Sequence, residues 1–556
     1  MQNVSVIRHR SEFFSRGNAL PSLALALGLA ILPGIGASWI EGAAGGFSSL
    51  GPTTSNWSTA NRSWALARTA GSSTSETRAF RVATALGSPP VRLQVTLPKG
   101  PVIAGRSAPM TLRYVCSGHG SCPSTETLSL ADFGARGRLI YQETLGRRLG
   151  PLVTLHRGLA LKVSLPIRKV AGTYHLQISA RGVRTMQYTY VVRAAAPERI
   201  MATVTPSPFV PVGGTAEIVA NVVDAYGNPV SLSRAPVHVI LQTRDRGMYL
   251  ARPTASERRN GVVALLRAGS RAGAGSLVVA SPGVRALSQV LKVKVYSNPA
   301  DLVAGKGAWA SLSTYDALGP KGILHRMVAE GVTHLYLETT GLRFYGQHML
   351  DAVVEQAHNA GIAVIAWDYA SLLNPSTEAS SAQATLNFRT PVGAQVDGLA
   401  GDFEQNLSPG AMRVFSSAVR QAAGPNRAYV GVIYPPQAGF NTPIATMAQY
   451  VNVFAPMDYW LTAARPYTPA EAANYVSQSI SALRNTPGEN GIPIEVISQT
   501  QNVENTSGFG LYNPPPAQIE ASVRAAEAGG AIGVSFYDLR TQTAAQIAAI
   551  RAMRIR

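Results

Sequence analysis

From about residue 305 onward, apolar runs alternate with helix-patterned segments eight times, and few folds can satisfy that rhythm. The runs lie near 307–312 (GAWASL), 333–339 (THLYLET), 362–369 (IAVIAWDY) and 396–404. Four more lie near 428–434 (AYVGVIY), 451–459 (VNVFAPMDY), 493–500 (PIEVISQT) and 531–538 (AIGVSFYD). Most are nearly continuous in apolar residues, as expected of strands covered on both faces in a parallel sheet. Helix signals fall between them. Ser408-Pro409 sets a capping hydroxyl before a first-turn proline. Thr468-Pro469-Ala470-Glu471 spells a capping box. Gly361 and Gly424 follow helical patterns, where a left-handed stop is wanted. Strand–helix alternation calls for a parallel α/β fold, and eight units in about 250 residues is the size of one (β/α)8 TIM barrel.

The fourth run reads Asp397-Gly398-Leu399-Ala400-Gly401-Asp402-Phe403-Glu404. Strand side chains alternate between faces, so Ala400, Asp402 and Glu404 share one face while Asp397 and Phe403 take the other. In a barrel, Asp402 and Glu404 then project into the mouth, where such enzymes keep their chemistry. Like charges this close raise one pKa, which is how a carboxylic acid retains a proton to donate near neutral pH. Glu338, Asp368, Asp458 and Asp538 also fall near strand ends and are candidate partners. The competing reading is structural: a carboxylate at a strand end can cap the next helix or pair with an arginine.

These residues resemble the fourth-strand signature of family 18 glycoside hydrolases, the chitinase-like barrels, which reads D-x-x-D-x-D-x-E. Asp397, Asp402 and Glu404 occupy its first, third and fourth acidic positions. Met457-Asp458-Tyr459 resembles the sixth-strand M-x-Y, and Gly533-Val534-Ser535-Phe536-Tyr537 sits where the last strand usually ends in Trp. The resemblance covers roughly residues 305–556. Three positions depart from it. Ala400 replaces the second Asp, Tyr537 replaces the Trp, and the third strand ends Ala366-Trp367-Asp368-Tyr369 rather than in Ser-x-Gly-Gly.

The resemblance implies roles residue by residue. Glu404 would protonate the glycosidic oxygen. Asp402 would orient a substrate acetamido group that attacks the sugar carbon from within, the substrate-assisted exception to the usual two-carboxylate scheme. Tyr459 would hydrogen-bond the acetamido carbonyl, and Asp397 would hold structure behind the site. Ala400 removes the neighbour that normally shares the proton of Asp402, so an ordinary acid/nucleophile pair stays open. Trp309, Tyr336, Trp367, Tyr434, Trp460 and Tyr537 cluster at the expected strand ends. With Glu338, Asp368 and Asp458 they are candidates to line a glycan groove, because sugar CH faces stack on aromatic rings. Strand ends are rich in aromatics for packing reasons too.

The first 300 residues read differently. Arg8, Arg10 and Arg16 precede an apolar run from Ala19 to about Ile40, interrupted by Pro21 and Pro33. Residues 1–41 therefore read as a signal peptide or an N-terminal membrane anchor. Residues 42–88, rich in Gly, Ser, Thr and Ala, read as a flexible tether. Residues 89–195 show short alternating runs, Val91–Leu97, Met110–Val115, Leu139–Glu143, Leu159–Leu165 and Thr173–Ser179, at the spacing of an all-β sandwich. Cys116 and Cys122 are the chain's two cysteines, and in an exported protein they are expected to close a small disulfide loop. Ala171-Gly172-Thr173-Tyr174-His175-Leu176 resembles a late strand of immunoglobulin-like domains. In 196–298, Val222-Val223-Asp224-Ala225-Tyr226-Gly227-Asn228-Pro229-Val230 resembles the early turn of invasin- and intimin-type bacterial immunoglobulin-like repeats. The expected architecture is two such sandwiches followed by a C-terminal barrel at 299–556.

Charge divides the chain at the same place. Residues 1–300 carry 34 Lys and Arg against 11 Asp and Glu, and residues 301–556 carry 15 against 19. The net +19 belongs to the N-terminal half. A basic stalk suits an anionic cell-wall polymer or membrane surface, or reflects adaptation of the surface to an unusual medium. Nucleic acid is disfavoured, since no nucleic-acid motif is present. No Cys/His cluster suits a metal and no glycine-rich loop suits a nucleotide, so no cofactor is expected. The resulting expectation is an exported, extracellular or cell-surface glycosidase acting on a polysaccharide. A catalytically inactive glycan-binding barrel and a surface adhesion protein are the alternatives.

Overall fold

The structure is a computed structural model that describes residues 78–79, 91–116, 125–133, 153–156, 160–165, 167–180, 183–242, 247–256, 261–282, 287–339, 347–461, 467–505 and 510–555. The leader at 1–41, Cys122, the run at 139–143 and most of 42–88 lie outside these residues. Among the described residues no helix is long and apolar enough to cross a membrane.

The described residues divide into two compact units, one holding those between 78 and 196 and the turn Asp224–Asn228. In it, Arg78–Ala79, Val91–Thr96, Pro109–Cys116 and Ala160–Ser164 form one sheet in that spatial order. Val102–Ile103, Val183–Arg193, Gly172–Ala180, Thr125–Phe133 and Val153–His156 form the other. Val95 and Leu112 from the first sheet pack with Leu176 and Ile178 from the second in one buried cluster. The sheet reaches into the segment read as a tether: Arg78 pairs with Val95 and Ala79 with Gln94, so their backbone groups are satisfied by a ladder. The Asp224 carboxylate accepts from the backbone N–H groups of Tyr226 and Asn228, both at 2.9 Å, and from Ala195 N–H at 2.7 Å. Gly227 supplies the left-handed position of this turn, with φ 83°.

The other unit holds 197–223 and 229–556, so the boundary read at 298 falls inside one compact body. Residues 199–296 build two sheets. Arg199–Thr205, Thr215–Val223, Gly261–Arg267 and Tyr249–Leu250 form one, with Thr254–Ser256 also pairing Gly261–Arg267. Phe209–Pro211, Leu287–Tyr296, Gly273–Ser281 and His238–Leu241 form the other. Burial alternates along Thr215–Val223, with Ala216, Ile218, Ala220 and Val222 covered.

Eight parallel strands then close into a barrel. They are β1 Gly305–Ala310, β2 His334–Glu338, β3 Ala363–Ala370, β4 Gly398–Phe403, β5 Ala428–Ile433, β6 Val453–Asp458, β7 Glu495–Gln499 and β8 Gly533–Tyr537. The helices that follow them are α1 Leu312–Glu330, α2 Gln347–Ala360, α3 Pro375–Asn387 and α4 Pro409–Ala423, then α5 Ile444–Met447, α6 Pro469–Arg484, α7 Pro516–Ala528 and α8 Ala544–Ala552. The expected caps are in place. The Ser408 side chain accepts from Ala411 N–H, and Thr468 and Glu471 close a reciprocal capping box.

Strand alternation sorts two cores. Leu399, Phe403, Tyr429 and Phe454 face the helices. Trp309, Tyr336, Ile365, Trp367, Ala400 and Met457 fill the interior. At the N-terminal end the Glu495 carboxylate accepts from the Tyr336 hydroxyl and stands 2.9 Å from His334 Nε2, with all three residues fully buried. Gly307 is required beside them, because a methyl group there would collide with His334 Nε2 and the Ser535 side chain.

Just below β4, Asp397 points outward. Its Oδ2 accepts from Val364 N–H of β3 at 2.7 Å and lies 2.9 Å from His358 Nε2 of α2. Its Oδ1 accepts from the Ser207 hydroxyl, which lies between two strands of the preceding sheets. Gln395 N–H donates to Pro206 O at 2.8 Å beside it. Replacing Asp397 by Ala orphans three buried groups at once. Asp397→Ala is expected to destabilise the chain by about 3 kcal/mol and Ser207→Ala by about 1 kcal/mol, read by urea unfolding of the intact protein through tryptophan fluorescence.

Candidate active site

The strand that carries Asp397 outward carries Ala400 and Asp402 inward and delivers Glu404 just past its C-terminal end. Asp402 is 2 % exposed, and its Oδ2 accepts from the Trp367 indole N–H at 3.0 Å. Its Oδ1 is buried without a hydrogen-bond partner. Glu404 is half-buried, and its Oε2 accepts from the Tyr434 hydroxyl at 2.8 Å. Tyr434 follows β5, the neighbour of β4 in the sheet.

Four tyrosines converge on these carboxylates. Burial first, and then the negative charges of Glu404 and Asp402, push the Tyr434 and Tyr369 hydroxyls well above the usual phenol range. Tyr459 is raised by burial, then by Tyr537 and by Asp402 and Glu404. Tyr537 is raised by burial, then by Asp538, Glu338, Asp402 and Glu404. The Tyr459 and Tyr537 rings lie 5.8 Å apart, and Trp367 meets Tyr537 edge-on at 5.9 Å. Asp402 itself is held well above the usual carboxylate range, by burial first and then by Glu404, with the Trp367 N–H acting in the opposite direction. The cluster is thus acidic, aromatic and rich in hydroxyl groups. Among the described residues no group of three or more metal-ligating side chains is placed to hold an ion.

Several residues read as groove-lining stand elsewhere. Trp460 is fully buried on the helix side of the wall, its indole N–H donating to Gln518 of α7 at 2.9 Å. Asp458 follows Phe454 and Pro456 onto the outer face. Burial raises its pKa, and the Ser479 hydroxyl of α6 works against that rise. Asp368 shares the outer face of β3 with Ala366 and Ala370. Tyr336 and Trp309 are interior filling, stacked at 4.0 Å, with the Trp309 N–H on Ser535 Oγ at 2.9 Å. Glu338 is inward, but its Oε2 accepts from Leu312 N–H at the first turn of α1. Asp538 caps its own turn, accepting from Thr541 N–H at 3.0 Å and from the Thr541 hydroxyl. Asp402, Glu404, Tyr434, Tyr459, Tyr537 and Trp367 are the predicted residues that do come together.

Two inward groups escaped the sequence reading. Tyr369 follows Ala363, Ile365 and Trp367 on the inner face, and strict alternation would have selected it over Asp368. Gln499, two residues beyond Ile497 on β7, accepts from Leu461 N–H at 2.7 Å and braces the loop after β6.

No protein-family model matches this sequence, and no curated protein sequence matches it. Solved structures similar in part include a class V chitinase from Pseudomonas fluorescens Pf-5, at 11% identity, 45% of this chain, 99% of that chain and TM-score 0.34. A chitinase from Chromobacterium violaceum ATCC 12472 is similar at 12% identity, covering 45% of this chain and 100% of that chain, with TM-score 0.34. A spore cortex-lytic enzyme from Bacillus megaterium QM B1551 is similar at 11% identity, covering 47% and 76%, with TM-score 0.33. The barrel itself is defined by its own hydrogen-bonded strand order.

The raised pKa of Asp402 has a sign that can be measured. Its ordinary value is 3.8, so above that pH the folded state holds a proton that the unfolded state has released. Stability then falls as pH rises through the window between the unfolded and folded values, by at most about 1.4 kcal/mol per pH unit. Asp402→Asn keeps the acceptor for Trp367 and removes the titration. The variant is expected to be more stable than the wild type at neutral pH, with the gap closing toward pH 4, in denaturant titrations across the pH range.

Proposed function

We propose that the barrel is a glycoside hydrolase acting on a β-linked polysaccharide, with Glu404 as the general acid. The observation that carries this reading is the pairing on β4. A half-buried Glu404, hydrogen-bonded by Tyr434, stands just past the C-terminal end of β4 beside a buried Asp402 whose pKa is raised partly by Glu404 itself. Two carboxylates so placed keep one proton between them over a range of pH. Glu404 delivers it to the glycosidic oxygen as the bond to the sugar carbon breaks.

Asp402 then serves in one of two ways. In the route implied by the family 18 resemblance, it orients the acetamido group of an N-acetylated sugar, as in chitin or peptidoglycan, with Tyr459 on the acetamido carbonyl. In an ordinary retaining scheme Asp402 only holds the shared proton, and Glu338, the other inward carboxylate, is the nucleophile. Ala400, buried below Asp402, supplies no carboxylate to share its proton. The same substitution favours a second reading, a barrel that binds glycans without cleaving them. We further propose export of the protein, with immunoglobulin-like modules at 89–195 and 196–298 forming a basic stalk suited to an anionic wall polymer or membrane surface.

The test is release of reducing ends by the intact chain from a panel of β-linked polysaccharides that includes chitin and peptidoglycan. Glu404→Gln is expected to lower kcat by about a thousandfold with the unfolding midpoint unchanged. Turnover undiminished by Glu404→Gln removes Glu404 from the chemistry. Binding without turnover in the wild type establishes the glycan-binding barrel instead.

A further inference from the structure

The segment after β5 carries a large aromatic ring whose placement core packing does not explain. Phe440 stacks one face on Tyr434, with ring centroids 4.0 Å apart and planes 18° from parallel, yet it remains 41 % exposed. The loop that presents it is braced. Pro435 and Pro436 open a 3-10 turn, Ala438 N–H returns to Pro435 O at 2.8 Å, and Gly439 closes the turn with φ 81°. Beyond the ring, Thr442 N–H donates to Phe440 O at 2.9 Å, and before it Gln437 Nε2 donates to Tyr475 O of α6 at 3.3 Å. A ring fixed on one side and open on the other is the form of a stacking platform for the apolar CH face of a pyranose.

Its position gives the platform a side. Tyr434, which stacks on Phe440, is the residue whose hydroxyl donates to Glu404 Oε2. The general acid protonates the glycosidic oxygen, which departs with the leaving-group sugar, so a platform tied to the acid through Tyr434 suits the sugar that carries that oxygen away. We propose that Phe440 is the floor of a saccharide subsite on the leaving-group side, and that Tyr434 is the positioning residue that ties this subsite to Glu404. The proposal rests on the hydrolase reading and deepens it. An equatorially linked pyranose chain, whose axial CH groups leave its ring faces flat and apolar, is the chemistry such a platform takes.

The experiment uses the intact chain and β-linked hexasaccharides of the cello-, xylo-, chito- and laminari-series, with the matching methyl glycosides as substrates that need the acid but place no ring in the subsite. Phe440→Ala is expected to weaken binding of the best-bound hexasaccharide to the Glu404→Gln protein about tenfold. It should raise KM for that hexasaccharide in the active protein, and leave methyl glycoside turnover within twofold. Phe440→Leu, apolar but without a flat face, should behave as Phe440→Ala, and Phe440→Tyr should restore binding. Hexasaccharide affinity unchanged in both Phe440→Ala and Phe440→Leu overturns the subsite while leaving Glu404-dependent turnover, and so the hydrolase reading, intact. Equal loss on hexasaccharide and methyl glycoside also overturns it, because the ring would then only prop Tyr434. Neither binding nor turnover of any of these by the wild type, with none in the polysaccharide panel, overturns the hydrolase reading and the subsite with it.

Discussion

The carboxylate of Asp397 is the fixed point of the barrel's fourth strand. It receives a backbone N–H from β3, faces an imidazole from α2 and takes a hydroxyl from the preceding sheets, all in a buried place. Breaking one partner there leaves the others desolvated and unmatched, which costs far more than a surface bond is worth. Each side chain above it on β4 takes its direction from that anchor. With Asp397 out and below, Ala400 and Asp402 must face inward and Glu404 must arrive at the mouth.

The same two-residue period makes the candidate site a gradient of environments. Asp402 sits one pleat deeper than Glu404, in a place where water does not reach, while Glu404 is half-buried and tied to Tyr434. Depth separates the two carboxyls chemically without any cation among the groups that set the pKa of Asp402. Trp367 serves Asp402 through its indole N–H and meets Tyr537 at its ring edge, so an aromatic expected to stack on sugar acts as a hydrogen-bond donor to an acid.

Much of this was legible in the residues. The eight apolar runs and the capping pairs at Ser408 and Thr468 fixed the order of elements, because periodicity and caps are local properties. The acidic spacing on β4 located Asp402 and Glu404 for the same reason. The misplacements came from treating nearness to a strand end as enough. Asp368 and Asp458 were chosen over the parity of their own strands, which turns Tyr369 and Tyr459 inward. Trp460 was misjudged because nothing local reveals that Gln518, 58 residues later, waits to accept its N–H. The bond between Ser207 and Asp397 spans 190 residues, and no pattern in either segment announces it.

The buried trio of His334, Tyr336 and Glu495 has a consequence for traffic. Together with the Trp309 and Tyr336 stack, it seals the lower end of the barrel with well-packed, mutually satisfied groups. The interior is therefore a closed vessel and not a conduit. Glu404 is thus not reached from that lower end. The sealed lower end excludes threading of any chain through the barrel along its axis.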